Sequence, residues 1–80
     1  MSEFELLQRI TVNPAVLVGK PTIRGLRISV EHVLRALTHG VTTEELVRDY
    51  PDLELDDIRA CFAYSLARVA EERVFPLSAA

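Results

Sequence analysis

The hydrophobic pattern of this 80-residue chain changes period near residue 29. Before that point it is close to two. Arg9-Ile10-Thr11-Val12 alternates and is β-branched, which predicts a short strand. Asn13-Pro14 ends it, because asparagine and proline open turns and proline lacks the ladder donor. Ala15 to Val18 is a short apolar connector, and Gly19-Lys20-Pro21 is a second turn. The alternation resumes over Thr22–Ile28 but slips phase, since Ile23 and Ile28 stand five apart. A bulge at Gly25 would return both to one face and leave Arg24 and Arg27 on an exposed edge.

After residue 29 the period becomes helical, and three helices are predicted. Ser29 is placed to cap the first, in which Val30, Val33, Leu34 and Leu37 recur at i, i+3, i+4 and i+7. Gly40 is the expected residue just past its end. Thr42 caps the second, with Glu45 completing a capping box and Val41 and Leu46 forming a hydrophobic staple; Pro51 stops it after Tyr50. The third starts near Glu54. Leu53 and Ile58 make another staple, and Asp56 and Asp57 suit the positive end of the helix dipole. Its core stripe is expected at Leu55, Ile58, Phe62, Leu66 and Val69. Ala60, Ala63, Tyr64 and Ala67 fall well off that stripe, so they are read as a dimer or partner face; the plainer alternative is that alanines favour helix. The expected fold is mainly α: a three-helix, homeodomain-like (helix-turn-helix-like) bundle with a short N-terminal β element.

Eighty residues supply one core, so residues 1–80 are expected to form a single domain. Within it, 1–8 is a lead segment, 9–28 a β/loop segment, 29–73 the helical bundle and 74–80 a tail. Charge divides these parts. Between Leu6 and Val30 stand Arg9, Lys20, Arg24 and Arg27 and no acid. From Thr43 to Asp57, seven acids face a lone Arg48. A helix-turn-helix that reads DNA normally carries its cations on the groove-entering element, and here they lie elsewhere. The net charge of −3 further disfavours nonspecific nucleic-acid binding by the whole molecule. A lone cysteine, Cys61, fits a reducing compartment; with no long apolar run and no basic leader, a cytoplasmic protein away from membranes is expected.

Candidate chemistry is sparse. Gly19-Lys20-Pro21-Thr22 resembles the end of a phosphate loop, but Pro14 stands where its first glycine is needed and Pro21 removes a donor. His32 and His39 lie two turns apart with no further ligands to complete a metal site. Cys61 sits beside the core stripe and reads as a buried structural thiol. Glu44-Glu45 and Asp56-Asp57 are explained by first-turn electrostatics. The expectation is therefore no enzyme, no cofactor, no metal and no small-molecule substrate. Lys20, Arg24 and Arg27 remain as candidate partner-binding residues, since guanidinium forks suit carboxylate or phosphate.

Several runs together resemble a known family. They are Asn13-Pro14; Gly19-Lys20-Pro21-x-Ile23-Arg24-Gly25-x-Arg27-Ile28-x-Val30; Gly40-Val41-Thr42-x-Glu44-Glu45; and Tyr50-Pro51-x-Leu53-x-x-Asp56-Asp57-Ile58. They look like the small bacterial and archaeal family called domain of unknown function 433, over about Arg9 to Tyr64. The resemblance implies a homeodomain-like trihelical fold with a short β element. It also implies an antitoxin role beside a toxin of PIN-like nuclease fold, with Lys20, Arg24 and Arg27 at signature positions. The chain departs from the pattern at Val18, where a glycine is usual, at Leu26, where threonine is common, and at Glu54, where threonine or serine usually caps the third helix.

Two functions follow as expectations. In the first, the chain is an antitoxin-like module that neutralises a PIN-like nuclease by offering the strand–loop cations to its acidic, metal-binding site. In the second, it is a DNA-binding homodimer that regulates transcription. A structural subunit that merely docks a partner is a plainer third. A homodimer is expected, with the β element paired across it, because an isolated two-strand element is marginal in water.

Overall fold

Ser2 Oγ accepts from the Glu5 N–H at 3.1 Å, and the Glu5 carboxylate accepts from the Ser2 N–H at 3.3 Å. This reciprocal box opens a short helix, α1 (Glu3–Leu7), which the hydrophobic pattern gave no sign of. The computed structural model describes residues 1–71. The expected bundle end at residue 73 and the 74–80 tail lie outside them. Two strands follow α1: β1 (Ile10–Val12) and β2 (Pro21–Ile23), antiparallel, with Ile10 opposite Ile23 and Val12 opposite Pro21. The strands belong to one chain, which corrects the expectation of pairing across a dimer. What makes so small a ribbon viable is the helical layer beneath it: β2 contacts the next helix and β1 contacts the last one.

The connection between the strands passes through a 3-10 turn at Leu17–Gly19. Leu17, Val18 and Gly19 hold φ values of +48°, +58° and +79°, a left-handed run in which only the glycine is at ease. After β2 comes a tight turn in place of the expected bulge. Arg24 and Gly25 both have positive φ, +46° and +74°, as in a type I′ turn. Leu26 N–H donates to Ile23 C=O at 2.7 Å, and Ile23 N–H donates to Ile28 C=O at 3.1 Å. The turn doubles the chain back so that Thr22 bridges Ser29, which brings Ile23 and Ile28 to the same core by reversal of the chain.

Three further helices form where their caps predict. Ser29 Oγ accepts from His32 N–H at 2.9 Å and starts α2 (Val30–Thr38). A Schellman arrangement ends it: Val41 N–H reaches Ala36 C=O at 3.0 Å and Gly40 N–H reaches Leu37 C=O at 3.1 Å, with Gly40 at φ +93°. The Thr42–Glu45 capping box opens α3 (Thr43–Asp49). The longest helix, α4 (Leu55–Glu71), begins after Glu54. Both expected staples are in place in the sense that Leu46, Leu53 and Ile58 are buried and Val41 packs against the same cluster.

The core joins Ile23, Val30, Val33, Leu46, Leu53, Ile58 and Cys61. Full burial of each large aliphatic here contributes about 1.5–3 kcal/mol. The rotation of α4 differs from the expected one. Of the expected stripe Ile58 is buried, but Leu55, Phe62, Leu66 and Val69 are between 51% and 60% exposed, whereas Ala60 and Ala63, expected on a partner face, are buried and Tyr64 packs against the core. The small residues face inward because the opposing positions are already filled by branched aliphatics, leaving room for methyl groups only. The result is a mainly helical protein with a two-stranded antiparallel sheet, and its β layer is positioned over the start of α4.

Candidate functional site

Asp57 lies three residues into the α4 cap region and is wholly buried. Its carboxylate receives four hydrogen bonds: Arg9 Nη1 on Oδ1 at 2.9 Å, Arg24 Nε on Oδ1 at 2.9 Å, Arg24 Nη2 on Oδ2 at 2.8 Å, and the Glu54 N–H on Oδ2 at 2.8 Å. Those four fill the acceptor sites of an ionised carboxylate. Arg24 also donates from Nη2 to Asp52 C=O at 2.7 Å, and Arg9 from Nη1 to Glu54 Oε1 at 2.8 Å. Burial pushes the Asp57 carboxyl up, but the Arg24 fork, the Glu54 N–H and Arg9 outweigh it and hold the group below its ordinary range. Asp57 is therefore an ionised anchor with no free lone pair, unsuited to a base or a metal ligand. The clasp ties β1, the turn after β2 and the start of α4 together.

The position of Arg24 depends on its backbone. Its left-handed φ is held by its own N–H, which donates to Arg9 C=O at 2.7 Å, and by the turn bond across Gly25. Of the three cations expected to form a docking patch, Arg24 is thus engaged inside the chain. Lys20 is engaged too, its Nζ 2.8 Å from Glu31 Oε1, while Arg35 Nη2 holds the other oxygen at 2.7 Å. Between the two cations the Glu31 carboxyl is lowered to about 2. Arg27 is exposed and forms no ion pair among the described residues. The signal for Asp57 was present in the sequence: Asp57, Ala60, Cys61 and Tyr64 stand at i, i+3, i+4 and i+7. An acid on a buried face needs a cationic partner.

Elsewhere, Tyr50 OH and His32 Nε2 share a hydrogen bond at 2.9 Å with their rings edge to face, linking α2 to the end of α3. Cys61 is buried, and burial with the nearby Asp57 charge pushes its thiol up to about 12. No group of three or more His, Cys, Asp or Glu able to hold a metal occurs among the described residues. No described helix is long and apolar enough to cross a membrane. A concavity of about 520 Å³ runs between α2 and α4. Val30, Leu34, Tyr64 and Val69 supply its apolar lining, and Arg35 and Arg68 stand at it as cations.

Arg24 and Asp57 of this clasp lie within a shared sequence pattern, and Arg9 stands one residue before it. The sequence model of the family described as "Protein of unknown function (DUF433)" matches residues 10–65, and the chain belongs to that family. It is 31% identical over 58 residues to the uncharacterized protein y4eO of Sinorhizobium fredii (strain NBRC 101917 / NGR234), a match over 72% of this chain and 26% of that protein. The chain thus spans about a quarter of the length of that relative. Its fold is similar to the crystal structure of a DUF433 member from Anabaena variabilis ATCC 29413, with a TM-score of 0.72 and 29% identity, over 85% of this chain and 68% of that one.

Proposed function

We propose that the chain is a non-catalytic binding module of the antitoxin kind, which recognises a nuclease of PIN-like fold. The observation that carries the reading is the α2–α4 cleft, whose apolar lining is combined with Arg35 and Arg68. A partner that presents acids around an apolar side chain complements such a cleft, and the metal-binding carboxylates of a PIN-like nuclease are acids of this kind. Arg24 is locked onto the buried Asp57, whereas Lys20, Arg35 and Arg68 hold only solvent-exposed pairs, with Glu31 and Glu71, that a partner's acids can exchange; the reading therefore rests on these exposed cations, with Arg27 as a further contact from the turn. The test is co-expression with the product of the neighbouring gene. Co-purification that is lost with Arg35→Glu plus Arg68→Glu, in a variant that still melts cooperatively, supports the module. No co-purifying partner, or binding indifferent to those changes, rejects it.

A second reading, a homodimeric DNA-binding regulator with a homeodomain-like core, is favoured by the succession of α2, α3 and α4. Against it stand the acids at the head of α4, Glu54 and Asp56, where a recognition helix normally places its base-contacting residues. A mobility shift on upstream DNA, with its salt dependence, separates the two readings.

A further inference from the structure

Leu55, Arg59, Phe62, Leu66 and Val69 follow one another along α4 at intervals of four, three, four and three residues. This is the seam spacing of a helix that packs against another helix. Yet the four apolar members are each more than half exposed, on the side of α4 opposite Tyr64 and the core. Four such side chains offer on the order of 400 Å² of apolar surface, within the range of the largest patch on a typical single chain, which is often functional.

We propose that this seam is a self-association surface, on which α4 of a second copy lies antiparallel about a two-fold axis at Phe62. The spacing is nearly palindromic about that residue. Reversing the helix about Phe62 sets Leu55 opposite Val69, Phe62 opposite itself and Arg59 opposite Ser65, one residue short of Leu66 and within reach of it for an arginine stem. The charge pattern chooses the direction. A parallel pair would stack Arg59 on the Arg59 of the second copy, two like charges at one level. The antiparallel pair separates them. Arg59 keeps its head group near Asp56, Nη1 to Oδ1 3.6 Å, and lays its aliphatic stem on the Leu66 of the second copy. An isologous contact of this kind closes as a dimer and leaves the α2–α4 cleft facing solvent apart from Val69, which borders both. With roughly half the area per partner of a standard interface, association is expected at a Kd on the order of 10 μM.

Sedimentation of the full chain across ~1 μM to ~1 mM reads this directly. The expected result is a monomer–dimer equilibrium, weakened at least about 30-fold by Phe62→Glu, a change at a half-exposed site that leaves the circular dichroism and melting of the monomer unaltered. Cysteine variants read the register independently of any stability effect. Phe62→Cys cross-links to itself under mild oxidation, Leu55→Cys cross-links to Val69→Cys when the two are mixed, and Val69→Cys alone does not. A monomer throughout, a dimer indifferent to Phe62→Glu, or ready self-linking of Val69→Cys overturns the proposal.

Discussion

Arg24 grips both oxygens of Asp57, Nε on Oδ1 at 2.9 Å and Nη2 on Oδ2 at 2.8 Å, from a position 33 residues earlier in the chain. The fork is planar and the carboxylate is wholly buried, so the geometry is that of a bidentate pair with little solvent competition. Neutralising Asp57 takes the shared counter-charge from Arg24 and Arg9, and it leaves their donors and the Glu54 N–H converging on a buried amide that accepts at one oxygen only. Asp57→Asn is expected to destabilise the chain by about 3 kcal/mol, seen as a fall in melting temperature of roughly 10 °C or more. Arg24→Lys, which keeps the charge but loses the fork, should cost about 1–2 kcal/mol. A thermal melt of Asp57→Asn within 2–3 °C or so of the parent would show that the clasp is ornamental.

Acid should weaken the fold through the same carboxylate. The Asp57 carboxyl sits below its ordinary value of 3.8 in the folded chain. The unfolded chain therefore takes up the proton first. The stabilisation is complete above pH ~4 and is lost as pH falls through the lower folded value. Glu31, held near 2 by Lys20 and Arg35, acts in the same direction from an exposed position. Melting temperature should be level from about pH 5 to 7 and drop below about pH 4, with a shallower drop in Asp57→Asn.

Val18 has a left-handed backbone, φ +58°, and is 95% exposed. A β-branched side chain there costs roughly 1–2 kcal/mol and gains nothing by packing. Glycine removes the steric cost but adds freedom to the unfolded chain, so Val18→Gly should stabilise by about 0.5–1 kcal/mol. Urea denaturation measures this, and a destabilised variant would contradict the strained turn.

The two faces of α4 should respond oppositely to substitution. Ala60 has no exposed surface, so Ala60→Leu overfills the core and should cost about 1–3 kcal/mol. Leu66→Ser, on the open face, should change the stability of the monomer by no more than about 0.5 kcal/mol at micromolar protein. Equal effects at the two positions would mean that the helix is rotated differently.

Cys61 is buried, with its thiol pushed up to about 12. It should resist alkylation near pH 8 in the native chain and react fully in denaturant, because the thiolate is the nucleophile. Mass spectrometry after timed labelling gives the answer, and rapid native labelling would contradict the burial.

The helices were legible because their ends are local. Ser29, Thr42 with Glu45, and Gly40 each act on backbone groups three to five residues away, and each performs its expected part. The face of α4 was not legible from its own periodicity. Large apolar and small residues lie on opposite sides, and the choice between them is made by what α4 packs against. Ile23, Val33 and Leu46 fill the interior and leave room only for Ala60 and Ala63. The turn at Arg24-Gly25 was hidden for a different reason, since arginine gives no hint of a left-handed backbone. Arg24 itself read as a free cation because its acid lies on another element. Asp57 read as a dipole partner because that role, with the Glu54 N–H, is one of the two it fills.

The clasp also bears on the order in which the molecule assembles. Asp57 is 33 residues from Arg24 and 48 from Arg9, so both contacts close long loops and cannot precede the segments between them. Interactions that form on the native side of the folding barrier govern escape from it. Weakening the clasp should therefore leave the refolding rate nearly untouched and accelerate unfolding, which makes three charged side chains the timekeepers of the native lifetime.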